Sequence, residues 1–193
     1  MGEPDVTLTD FGLAALCFGF TALLLGEGDV QGLFAGLYAA LGVAAFTGAL
    51  SHGWFTDRSG GLGKANWLAT MLAIGVANSF LWLIAAQILA LVAPLGDVIA
   101  WGQLALYAAL AIFVTRSFLL SSGFSLPPTL VLTAAFASSG NWLGAAGLAV
   151  ALLAALLQMR KVSGLGLTFN AFYHVVQALA FVLVFLAIPA VTG

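Results

Sequence analysis

Charge is what this sequence has least of. Of 193 residues, five are Lys or Arg and seven are Asp or Glu, 6% in all, where ordinary soluble domains carry roughly 25%. So little charge excludes a water-facing surface, and the mean hydropathy of +1.14 agrees. The formal charge of −2 leaves no basic surface for nucleic acid. One cysteine, Cys17, excludes an internal disulfide; lying in an apolar run, it reads as a small packing residue. The acidic start "MGEPDVTLTD" lacks the positive charge of a secretory signal. Val6 stands where N-myristoylation needs Ser or Thr.

What is present is 63% hydrophobic and comes in long runs. A helix needs about 20 apolar residues to cross the hydrocarbon layer. Breaks at charge, Gly and Pro predict an all-α polytopic bundle of seven transmembrane helices. It forms one domain, with helices at about 8–25, 33–55, 67–92, 98–120, 127–139, 142–157 and 165–188. The fifth is short for a crossing, with Pro127 and Pro128 suited to its first turn. If that piece is re-entrant, the count is six. The runs lack the alternation of a membrane barrel. Gly32, Gly36 and Gly42 read as a packing face on the second helix.

With seven spans, Arg58, Lys64, Arg116, Arg160 and Lys161 all fall on the side of the N-terminus. Glu27, Asp29 and Asp97 fall on the other. The positive-inside rule then predicts a cytoplasmic N-terminus and an external C-terminus in a bacterial inner membrane. Trp54, Trp67 and Trp142 lie at helix ends, as interfacial anchors do.

Polar side chains are costly in hydrocarbon and tend to face a bundle interior. Asn170, His174 and Gln177 recur at i, i+4 and i+7, one face of the last helix. At 1.5 Å per residue, His174 lies roughly 12–14 Å in from Leu165. His52 closes the second helix on the same side. Asp10 is expected at the start of the first helix, Asn66 at the opening of the third with Asn78 deeper, and Asp57 just beyond the second. These groups predict a polar inner cavity open to the cytoplasm. Two histidines with a carboxylate from Asp10 or Asp57 make a sparse zinc set, since catalytic zinc takes three protein ligands and a water. The competing reading is that each histidine only ties helices together by hydrogen bonds of about 1 kcal/mol.

The stretch "NAFYHVVQALAF" resembles the last-helix signature of the alkaline ceramidase and adiponectin-receptor superfamily. Those are seven-helix proteins with a metal site near the cytoplasmic helix ends. His174 matches the later histidine of that signature and His52 the second-helix histidine. Asn170 replaces the earlier histidine, Gly48 replaces a Ser one turn before His52, and the third-helix acid has no match, Asn66 being nearest. The resemblance implies a divergent intramembrane hydrolase of lipid amides. In that reading His52, His174 and Asp10 or Asp57 hold zinc, zinc-bound water is the nucleophile, and Ser51 or Tyr173 donates to the oxyanion. The lipid enters sideways from the bilayer. The "LTDFGLA" start and the "HG" of the second helix also resemble an uncharacterised bacterial-type membrane family without a known chemistry.

Two other functions fit the residues. A small-solute carrier could use Gln87, Gln103 and Tyr107 toward the outer side with Asn78 and Gln177 deeper, although no membrane-embedded acid with a basic partner is visible to couple ions. A non-catalytic subunit could pack on a membrane-protein partner through "LLSSGFSLPP" or the Phe-rich last helix. A retinal protein is excluded, because the last helix has no Lys. "RSGGLGKAN" departs from a P-loop in its Gly spacing and in Ala65, which stands where Ser or Thr should be; Arg58 and Lys64 there are expected to meet lipid phosphate.

Overall fold

The computed structural model describes residues 2–89 and 92–192. Seven helices are long and apolar enough to cross a membrane: α1 (Pro4–Leu24), α2 (Asp29–Gly53), α3 (Gly61–Ile88), α4 (Gly96–Phe113), α5 (Phe118–Ser138), α6 (Trp142–Met159) and α7 (Phe169–Ala187). A 3₁₀ turn, Ala93–Leu95, leads into α4, and a four-residue turn of helix, α8 (Pro189–Thr192), follows α7. The chain is therefore an all-helical integral membrane protein.

Local chemistry sets the helix ends. Pro4 sits in the first turn of α1, where a missing N–H costs nothing. Side-chain oxygens of Ser117, Asn141 and Thr168 cap α5, α6 and α7 by accepting from Leu119, Gly144 and Ala171 N–H. These caps answer the orphan donors of a helix N-terminus.

The bounds correct the sequence reading in two places that matter. Helix α1 begins at Pro4 rather than near Leu8, so Asp10 lies inside the helix and is buried. Helix α5 is not a short or re-entrant piece beginning at Pro127. It begins at Phe118, and both prolines lie inside it. Pro128 cannot donate to the Phe124 carbonyl one turn earlier. That carbonyl instead accepts from Gln103 Nε2 of α4 at 3.4 Å. Within the helical "SSGFS" stretch Ser122 Oγ donates back to Phe118 O at 3.1 Å, while Ser121 Oγ meets Tyr107 of α4 and Met71 of α3.

The helices pack in a ring in the order α1, α2, α3, α5, α6, α7, closed by contact between α7 and α1. Helix α4 stands outside it, resting chiefly on α3. Contacts at one end of the bundle show the alternation of directions. Gly2 N–H donates to Gly53 O at 3.1 Å, Asn66 Nδ2 of α3 donates to Thr47 O of α2 at 2.7 Å, Trp67 Nε1 donates to Arg116 O at 2.8 Å, and Thr168 N–H donates to Asp5 Oδ2 at 2.9 Å. The start of α1, end of α2, start of α3, end of α4 and start of α7 thus share one end.

The core between α1, α2, α3, α5, α6 and α7 is built from small residues against rings. Phe34, Tyr38, Phe136 and Phe181 fill it, with Cys17 a buried free thiol beside them. The expected glycine face of α2 is not one face. A Cβ at Gly36 would strike Phe80 of α3 and one at Gly42 would strike Phe18 of α1, while Gly32 has open space.

Candidate functional site

The ring encloses a cavity of about 970 Å³. Leu37, Leu41, Leu81, Leu148, Leu152, Phe181 and Val184 make its apolar wall, and Asp10, His52, Arg58, Arg116, Asn170, Tyr173 and His174 line it as well. A second, smaller space of about 570 Å³ lies against Gly2, Glu3, Ser51 and Thr56. His52, Arg58 and Asn170 border both. These three residues stand where a polar vestibule meets an apolar chamber.

Each histidine has its own carboxylate. His52 Nδ1 lies 2.5 Å from Glu3 Oε2. Glu3 is brought there by the first residues folding over the end of α2, with Glu3 N–H donating to His52 O at 3.1 Å. A carboxylate accepts only, so Nδ1 carries the proton and Nε2 keeps a lone pair; among the described residues no hydrogen bond engages Nε2.

His174 is different. Its Nε2 lies 3.2 Å from Asp10 Oδ1 and its Nδ1 lies 3.1 Å from Thr9 Oγ1. Thr9 Oγ1 donates its one proton to the Asp5 or Val6 carbonyl, at 2.9 and 3.0 Å. The hydroxyl is therefore the acceptor, and His174 Nδ1 carries a proton. One further proton lies between Nε2 and Asp10, so the pair as a whole is uncharged, the state that burial favours. Gly48 makes room for it: a Cβ there would come within 3.2 Å of Asp10 Oδ2.

Several expected site residues stand elsewhere. Asp57 is exposed and accepts from Ser59 Oγ at 2.6 Å; the Ser59 side chain and N–H hold its carboxyl below the usual range. It is not a ligand beside the histidines. Asn66 does not line the cavity. Its Nδ2 spans Thr47 O and Ser51 Oγ at 2.7 and 2.8 Å and ties α3 to α2. Ser51 is buried, accepts that bond and borders the vestibule. Asn78, Asn170, Tyr173 and Gln177 do line the chamber, and Asn170 Oδ1 accepts from Gln158 Nε2 at 3.3 Å. Arg58 reaches the chamber with its guanidinium 3.9 Å over the Trp67 ring. Burial lowers its pKa while the Glu3 and Asp10 carboxylates oppose that.

The outer polar residues do not form a path. Tyr107 is fully buried and shares a hydrogen bond of 2.7 Å with Ser121. Gln103 is held by Trp82 Nε1 and the Phe124 carbonyl, and Gln87 is exposed.

Among the described residues no three His, Cys, Asp or Glu side chains are placed to hold one metal ion. Both ring nitrogens of His174 are engaged, and His52 turns Nδ1 to a different carboxylate. The donor set does not fit a three-ligand zinc centre.

The sequence reading missed Glu3 and Thr9. Glu3 precedes α1 and reaches His52 only because the chain start folds over the end of α2, so the sequence carries no local signal for it. It also found no embedded acid with a basic partner; Asp10 and His174, in separate spanning helices, are that pair.

Fold and cavity together define a seven-helix integral membrane protein with a central amphipathic chamber. Within that class, residues 6–192 match the family described as a family of unknown function (DUF6962), and the chain belongs to it. No curated protein and no solved structure matches.

Proposed function

We propose that this chain is an intramembrane hydrolase of single-chain lipid amides that works with its own side chains at the junction of vestibule and chamber. The observation that carries this reading is that His52, Arg58 and Asn170 border both spaces, so water from one side and an acyl chain from the other meet at an imidazole with a free nitrogen. His52 Nε2 takes a proton from water as its oxygen bonds to the amide carbon. Glu3 holds the resulting imidazolium. Arg58, with Tyr173 and Ser51 as hydroxyl donors, stabilises the oxyanion. The C–N bond breaks as His52 returns the proton to the leaving amine, giving a fatty acid and an amine. The likeness of "NAFYHVVQALAF" to the ceramidase superfamily supports the lipid-amide substrate class, and the segregation of basic residues supports a vestibule open to the cytoplasm, in what we propose to be a bacterial inner membrane.

The test is release of oleate from oleoyl ethanolamide by the protein reconstituted in vesicles. Release that is lost in His52→Gln supports the proposal; equal rates with and without the protein reject it. A proton-linked carrier is the second reading, favoured by the shared proton of Asp10 and His174. Solute-driven acidification of vesicles, abolished by Asp10→Asn and with no oleate formed, would select it instead.

A further inference from the structure

Among the described residues, three buried side-chain atoms have no hydrogen-bond partner: Asn78 Nδ2, Arg116 Nε and Gln158 Oε1. All three residues line the same chamber. Buried polar groups in folded proteins are normally satisfied, so an unmet group on a cavity wall indicates what the cavity takes. Arg116 and Gln158 belong to the charged end: Trp67 bonds the Arg116 carbonyl and Gln158 bonds Asn170. A polar lipid head answers both.

Asn78 is not at that end. It lies eleven residues beyond Trp67 along α3, roughly 16 Å deeper at 1.5 Å per residue. It is 3% exposed, and neither end of its amide is hydrogen-bonded among the described residues. An asparagine that ties helices would be bonded, as Asn66 is. Thr129 reaches a matching depth, eleven residues beyond Phe118 on α5, and lines the chamber too. Its hydroxyl proton goes to Ser125 O at 2.7 Å, which leaves its lone pairs to accept. At this level the wall thus offers an amide that can donate or accept and a hydroxyl oxygen that can accept.

We infer that Asn78, with Thr129, forms a second polar subsite that receives a hydroxyl carried partway along the apolar chain of the ligand. A hydroxyl fits both partners: it accepts from Asn78 Nδ2 and donates to Thr129 Oγ1 or Asn78 Oδ1. A plain hydrocarbon chain leaves Asn78 unpaired. This assignment rests on the chamber holding a lipid, as proposed above, and it names the kind of chain.

The experiment compares oleoyl ethanolamide with ricinoleoyl ethanolamide, which differs by one mid-chain hydroxyl, as ligands of the purified full chain in detergent, read by native mass spectrometry. The wild type should bind the hydroxylated lipid about five- to tenfold more tightly, the worth of one net hydrogen bond. Asn78→Leu should erase that preference and still bind the oleoyl compound. Thr129→Val, should Asn78→Leu fail to fold, should reduce the preference in part. Equal affinity of the wild type for both lipids, or a preference that survives Asn78→Leu, overturns the subsite while leaving a lipid chamber. Binding of neither lipid overturns the lipid reading itself, and the subsite with it.

Discussion

The two histidines of this chain have the same kind of partner and opposite freedom. His52 gives one ring nitrogen to Glu3 at the vestibule and keeps the other. His174 gives one to Asp10 and one to Thr9 inside the helix ring and keeps none. An imidazole can exchange protons with a substrate only through a nitrogen that is not already committed. Position on the wall does not separate them, since both line the chamber; the second hydrogen bond does. In the proposed reaction His52 is therefore the group that transfers the proton, and His174 couples α1 to α7.

That division can be broken by mutation. The largest effect is expected at His52: His52→Gln should cut oleate release about 100-fold or more, the scale of general-base catalysis, with no change in thermal unfolding. Asp10→Ala should act on stability instead. It leaves His174 Nε2 buried without a partner, at a cost of about 2–4 kcal/mol measurable by denaturant titration in detergent, and Asp10→Asn should recover part of it. Gly48→Val should lose about 1–3 kcal/mol by overpacking, since its side chain collides with the Asp10 carboxyl. The smallest effect is at Asp57. Asp57→Asn should change stability by less than about 0.5 kcal/mol and leave oleate release unaltered, whereas a ligand role would make it as damaging as His52→Gln.

Helical periodicity and helix direction carried much of the site. Asn170, His174 and Gln177 were placed on one face by spacing alone, and all three line the chamber. His52 lies near them because the end of α2 and the start of α7 both flank the start of α1 at one end of the bundle. What periodicity could not convey is which helices are neighbours. In a membrane, lipid tails are as apolar as a leucine face, so nothing in the composition of α4 marks it as the helix left outside the ring. The start of α5 was hidden for a different reason: two prolines read as a helix boundary until Gln103, on another helix, is seen to answer the carbonyl that Pro128 leaves free. Glu3 escaped notice because its role depends on the chain end folding over α2, a tertiary contact with no local pattern. Asp57 is close to His52 in sequence but sits exposed in the connection to α3, held by Ser59, and spacing along the chain does not convey that separation.

The proposed reaction requires an acyl chain inside the helix ring with its head at His52 and Arg58. A photoreactive oleoyl amide with a diazirine at the chain end, activated in vesicles holding the full protein and mapped by peptide mass spectrometry, tests this directly. Labels should fall on chamber-wall residues such as Leu81, Leu148 and Phe181 and be displaced by excess oleoyl ethanolamide. Labels confined to outward residues such as Leu106 and Phe113 of α4, 56% and 82% exposed, and insensitive to competitor, would contradict it.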